Sequence, residues 1–191
     1  MNINRIAASA ILIAGAAFMA PSWSQTPPQT SWPEPKYEVR VEESVMVPMR
    51  DGVKLSTDLY FPTGAGDKLP VILIRTPYNK APYRKAKSVA HQFAGQGYIV
   101  AAQDTRGRYT SEGKFTAFAG DVTDGYDTTD WLSKQSWSTG KIGTYGCSYV
   151  GDVQILQAQL RHPNLTAMIP QAAGSSIGAA GERYYFFGAR K

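Results

Sequence analysis

Residues 141–154 read KIGTYGCSYVGDVQ and set Ser148 among small residues in a pattern suited to nucleophilic chemistry. A serine hydroxyl attacks a carbonyl only if a turn presents it and a base takes its proton. The Gly-x-Ser-x-Gly spacing meets the first need: a strand ends, the chain turns with strained backbone angles, and a helix starts. Here Gly146 stands two before Ser148, Val150 stands two after it, and the second glycine, Gly151, comes one residue later. The positions two and three after the serine both lie on the first helical turn, where helix and strand approach, so Gly151 can fill the role. The helix start also directs partial positive charge at the hydroxyl. Cys147, the single cysteine, makes no internal disulfide; its place before the serine predicts a side chain packed into the sheet as a small hydrophobe.

The base is harder to find, because the chain has two histidines. His162 follows Ser148 along the same predicted helix, about 21 Å away at 1.5 Å per residue, and is expected to serve as a cation near the helix C-terminus. His91 precedes the serine, in a helix predicted to pack on the sheet. Asp104 and Arg106 lie just past a predicted strand end, where α/β sites form, but a local ion pair fixing the DTRGR loop is the expected reading. Asp121, Asp124, Asp127 and Asp130 recur every three residues. They lack the ligand loop of a calcium site and read as a solvated acidic face suited to an early helix. Tyr78, in TPYNK, reads on its own as a hydrogen-bonded surface tyrosine of a turn. No motif calls for a metal or cofactor.

The elements that must position these residues follow from hydropathy patterning. KYEVRVEESVMVPM and VKLSTDLYFP alternate polar and apolar residues around an RDG turn, which predicts an antiparallel hairpin. LPVILIRTPY, YIVAAQDTRG, KIGTYG and LTAMIPQAAG are apolar runs of strand length, the pattern of strands buried on both faces. Between them, residues 83–96, 120–134 and 148–163 read as helices, the first ending in GQG and the last before Pro163. A hairpin followed by β-α-β-α-β-α-β predicts an α/β fold: a mostly parallel sheet with helices on both faces.

The chain has 191 residues, 43% of them hydrophobic and 18% charged, with a net charge of +5. That is a globular composition with room for one sizeable core. The basic residues are scattered and do not interleave with aromatics, which argues against a nucleic-acid groove. MNINR followed by an apolar, alanine-rich stretch reads as a signal peptide over residues 1–24. Ser22 and Ser24 supply the small-x-small site, so cleavage is expected before Gln25, with export to the periplasm or medium and no stable membrane span after processing; an uncleaved anchor is the alternative. Residues 25–36 carry four prolines within QTPPQTSWPEPK and read as an extended linker or arm.

GCSYVG resembles the G-x-S-Y-x-G elbow of the Xaa-Pro dipeptidyl-peptidase-like (CocE/NonD) serine hydrolases, in which the second glycine also stands three after the serine. MRDGVKLSTDLYFP, RTPYNK, DTRGRYTSEGKF and DGYDTTDWLSKQSWSTGKIG are similar to that family's segments in the same order. The resemblance implies an α/β-hydrolase fold over residues 37–191, incomplete at its C-terminus. It implies Ser148 as nucleophile, with the Tyr149 N–H and the Tyr78 hydroxyl as oxyanion donors. Two donors aimed at one point are what acyl transfer requires. The implied substrate is a small-molecule ester or amide, or a short Xaa-Pro peptide. The family's triad Asp and His and its jelly-roll domain would lie beyond Lys191, so the expectation is the N-terminal portion of such an enzyme. A non-catalytic secreted binding protein, or a degraded gene product keeping half the fold, is the competing reading. A homo-oligomer of the full-length form stays open.

Overall fold

The computed structural model of the chain describes residues 32–174. The expected signal peptide, most of the expected linker and residues 175–191 lie outside them. Six strands form one sheet in the order β1-β2-β4-β3-β5-β6. β1 (Val39–Pro48) and β2 (Lys54–Pro62) make the expected antiparallel hairpin, with a bulge between Glu42 and Val45. β2 lies antiparallel to β4 (Ile99–Asp104). β4, β3 (Leu69–Thr76), β5 (Ser138–Cys147) and β6 (Leu165–Gln171) run parallel to one another.

Strand alternation sorts the core onto two faces. Leu59, Val71, Leu73, Ile99 and Ala101 pack with Leu132 of α2 (Asp121–Ser133). Their neighbours in sequence, Tyr60, Ile72, Ile74, Val100 and Ala102, pack with Ala90 and Ala94 of α1 (Val89–Gly95). α3 (Tyr149–Ala158) follows β5 and lies against α2, so closely that a Cβ on Gly125 would meet the Gln157 Cβ at 2.5 Å.

Two helices are shorter than their sequence pattern predicts. The first apolar stretch begins as a 3-10 turn at Ala81–Arg84, and α1 starts only after Ser88, whose side chain accepts a hydrogen bond from the His91 N–H. A serine cap and a positive φ of 67° at Lys87 break the longer helix in two. α3 stops at Ala158, four residues before His162.

Ahead of β1, residues 32–37 dock on α1. The N–H groups of Lys36 and Tyr37 donate to the Gly95 carbonyl at 2.7 and 3.2 Å, and Trp32 meets Phe93 edge-on. Among the described residues no helix is long and apolar enough to cross a membrane.

Of the four aspartates expected on a solvated face of α2, the Asp130 side chain is exposed beside Lys134 as expected, but the other three are not. Asp121 pairs with Arg75 of β3, Asp124 with Arg106 after β4, and Asp127 with Arg50 at the β1–β2 turn. A three-residue spacing keeps all three carboxylates on one stripe, and each meets an arginine where a strand or turn ends. Asp104 and Arg106 do not pair with each other either. Asp104 faces Lys80, and the planar Arg106 guanidinium bridges Asp51 and Asp124.

Burial alone would raise the Asp58 and Asp127 carboxyls. Together, the Arg84 hydrogen bond, the Ser44 N–H and the charges of Lys80 and Arg84 outweigh it at Asp58, and the hydrogen bonds and charge of Arg50 do so at Asp127, holding both below the ordinary carboxylate range. Their contribution to stability is therefore present above an unfolded value of about 4, and is lost as pH falls through the folded values. Asp104 acts in the opposite sense: burial raises its carboxyl, so it costs stability at neutral pH and the cost vanishes on protonation. The melting temperature should fall steeply as pH drops below about 4. Asp127→Asn should lower it at pH 7 and flatten that acid limb. A variant curve that overlays the wild type at every pH would contradict this.

Candidate active site

Ser148 sits between β5 and α3 with φ 59° and ψ −131°, a conformation that non-glycine residues rarely hold. It is exposed, while Gly146 before it is buried. The turn exists because two glycines let the helix close on the strand. A Cβ on Gly146 would lie 2.1 Å from the Val150 Cγ1; on Gly151 it would lie 2.7 Å from the Gln171 carbonyl oxygen. Gly151 thus faces the end of β6, and the spacing of three after the serine reflects that contact. Backbone bonds complete the turn: the Ser148 N–H donates to the Gln171 carbonyl at 3.0 Å, and its own carbonyl accepts from Gly151 and Asp152.

Tyr149 is the first residue of α3, and its N–H is one of the donors a helix start leaves without an intrahelical partner. No acceptor meets it among the described residues. The Tyr149 side chain is engaged at its far end: its hydroxyl donates to Asp121 Oδ2 at 2.7 Å and accepts from the Phe118 N–H at 3.0 Å. Burial, then the charge of Asp121, push this phenol well above its ordinary range, so it stays protonated.

Tyr78 reaches the elbow from the loop after β3. Its ring lies edge-on to Tyr149 with centroids 6.3 Å apart, and the residue is 59% exposed. The loop beneath it is tightly held. The Tyr78 N–H donates to Thr76 Oγ1, Arg108 Nε to the Pro77 carbonyl, and the Lys80 N–H to Asp104 Oδ1. The Lys80 side chain is buried, 3.3 Å from Asp58 and 3.7 Å from Asp104. The structure therefore brings Ser148, Tyr149 and Tyr78 together at the carboxyl ends of β3 and β5, where open α/β sheets form sites.

It brings neither histidine to them. His91 Nδ1 lies 3.1 Å from Ser88 Oγ and 3.2 Å from the Tyr83 carbonyl, and its ring meets Tyr60 edge-on. His162 is beyond α3 and buried against Tyr126, with Nδ1 accepting from the Asn164 N–H. Burial lowers its pKa despite Asp130 nearby, so it is neutral at pH 7 rather than the expected helix-end cation. Cys147 also departs from expectation: as the last residue of β5 it is exposed, not packed into the sheet.

Sequence reasoning missed the polar residues behind the site. Arg75 and Lys80, each 2% exposed, were hidden within an apolar run and a turn. The available signal was the match of three aspartates on one helix stripe to three arginines at element ends.

A family model described as X-Pro dipeptidyl-peptidase (S15 family) matches residues 51–188. The chain belongs to this family. Over 140 residues it is 39% identical to the cocaine esterase of Rhodococcus sp. (strain MB1 Bresler), covering 72% of this chain and 24% of that one. An α-amino acid ester hydrolase structure superimposes with a TM-score of 0.64 at 32% identity, over 83% of this chain and 29% of that one. A CocE/NonD family hydrolase from Staphylococcus aureus gives 0.64 at 30%, over 71% and 28%. The chain spans about a quarter of the length of the curated relatives it matches. The sheet described above is the corresponding part of their α/β-hydrolase fold, as the sequence pattern leads one to expect. The elbow of this chain has no room for a methyl group at Gly151. Gly151→Ala should cost about 1–3 kcal/mol, since overpacking against a backbone oxygen forces the helix to shift. A thermal melt measures it, and an unchanged midpoint would show that the contact is slack.

Proposed function

We propose that this chain carries the nucleophile and oxyanion hole of an exported serine hydrolase acting on small esters or amides, Xaa-Pro peptides included. The observation that supports this most is the strained Ser148 at a strand-to-helix turn, next to the Tyr78 ring and to a Tyr149 N–H that meets no acceptor among the described residues. Ser148 Oγ attacks the substrate carbonyl. The oxygen that becomes negative accepts hydrogen bonds from the Tyr149 N–H and the Tyr78 hydroxyl, each worth roughly 3 kcal/mol of barrier. The start of α3 adds its dipole to the same point. The general base and its carboxylate partner are assigned to polypeptide outside the described residues, since His91 and His162 are both engaged elsewhere.

Esterase kinetics test the assignment, on the chain alone or within a longer polypeptide that contains it. Ser148→Ala should abolish turnover of an activated aryl ester. Tyr78→Phe should slow it about 10²–10³-fold, the effect of losing one oxyanion donor. Full activity in Ser148→Ala would remove the nucleophile, and full activity in Tyr78→Phe would remove that donor alone. Export is supported by the basic, then apolar, then Ser22-x-Ser24 pattern of the first 24 residues. N-terminal sequencing of periplasmic material should find Gln25 first, whereas Met1 in a membrane fraction would mean an anchor.

A further inference from the structure

The Tyr149 side chain takes no part in the reaction as proposed, yet it is the most connected group at the elbow. Its ring stacks on Phe118 with centroids 4.3 Å apart and 17° between planes, and it touches Phe115 and Tyr78 at 6.4 and 6.3 Å. Its hydroxyl is held at both lone pair and proton, by the Phe118 N–H and Asp121 Oδ2. Asp121 is in turn held by Arg75, whose Nη2 reaches Asp121 Oδ1 at 2.9 Å and whose Nη1 reaches the Asp121 carbonyl at 3.0 Å. Arg75 Nε donates to Gln103 Oε1, and Gln103 Nε2 donates to Thr57 Oγ1. A chain of polar contacts, buried except for its last, part-buried link, thus runs from β2 through β4, β3 and α2 to the first residue of α3.

We propose that Asp121 and the Tyr149 hydroxyl are positioning groups for the oxyanion hole. They fix the Tyr149 ring, and the ring fixes both donors: the N–H on its own backbone and the Tyr78 ring resting against its edge. This rests on the reading of Ser148, Tyr149 and Tyr78 given above. The physical reason is leverage. Tyr149 has two side-chain torsions, and its ring is clamped at the tip and along one face, so the backbone at the start of α3 cannot rotate without breaking a part-buried hydrogen bond. Donors stabilise an oxyanion only over a narrow range of distance and direction. A merely structural role is the weaker explanation, because α3 is already docked without the hydroxyl. Its close contact with α2 at Gly125 and Gln157, the bond from the Thr144 hydroxyl to Gln154 Oε1 and that from Gln154 Nε2 to the Ile169 carbonyl do not involve Tyr149.

The test is steady-state hydrolysis of p-nitrophenyl acetate by a polypeptide containing this chain, with Ser148→Ala, Tyr149→Phe and Asp121→Asn beside the wild type. Tyr149→Phe keeps the ring, the stack and the edge contact and removes only the hydroxyl. Its kcat should fall about tenfold with KM within about twofold, the signature of a misplaced transition-state donor. Asp121→Asn should lower kcat in the same way, and the double variant should be little worse than the poorer single one, because both break one clamp. Thermal melts accompany each variant, so that if Asp121→Asn fails to fold, Tyr149→Phe still decides. Wild-type kcat in a folded Tyr149→Phe variant, with Ser148→Ala inactive, would overturn the positioning role and leave the nucleophile standing. An active Ser148→Ala would overturn both.

Discussion

The first turn of α3 lies so close to the ends of β5 and β6 that a methyl group at Gly146 or Gly151 has nowhere to go. That approach is what holds Ser148 at φ 59°, a conformation costing on the order of 1–3 kcal/mol that persists only where the surroundings over-determine it. They do so here from both sides. β6 receives the Ser148 N–H through Gln171, and the Gly174 N–H closes onto Asp152 Oδ1 in the first turn of the helix. With less space at either glycine, the serine would relax and the Tyr149 N–H would turn with it.

Around this contact the chain uses charge where packing alone would not fix a loop. Arg75, Lys80, Asp58 and Asp104 are all buried, and each is met by at least one opposite charge or several hydrogen bonds. Unpaired, any of them would cost several kcal/mol. The pairs therefore act as constraints: α2 can sit on the sheet in one register, with its aspartates opposite Arg75, Arg106 and Arg50. The loop carrying Tyr78 is tied to Asp104 through the Lys80 backbone. Both proposed oxyanion donors are thus anchored to a buried aspartate, Tyr78 through Asp104 and Tyr149 through Asp121.

Much of the fold is legible in the sequence, because its signals are local. The period-two hairpin, the apolar runs of β3 to β5 and the glycine stop after α1 each reflect physics within a few residues; β6, expected to be buried on both faces, forms as a strand but is exposed along most of its length, as the outermost strand of the described sheet. The elbow is legible for the same reason, down to the displaced second glycine, whose contact with Gln171 explains the spacing. What escapes is pairing across the chain. Arg75 meets Asp121 across 46 positions and Lys80 meets Asp104 across 24, and no periodicity marks either. So most of an acidic stripe that looks solvated is an ion-paired docking face, and a mainly apolar strand carries a buried arginine one residue before its end. Ser88 shows the limit of apolar periodicity, since one capping side chain divides what reads as a single helix. His162 shows the same at α3, which ends a turn earlier than its pattern suggests.

In the proposed reaction Ser148, Tyr149 and Tyr78 converge on one carbonyl group, and a boronic acid adduct tests that convergence most directly. In a crystal structure of a polypeptide containing this chain with a bound aryl boronate, boron should be bonded to Ser148 Oγ. One boronate oxygen should lie about 2.7–3.1 Å from both the Tyr149 nitrogen and the Tyr78 hydroxyl, the range an oxyanion hole requires. Boron on another residue, or a boronate oxygen that meets neither group, would contradict it.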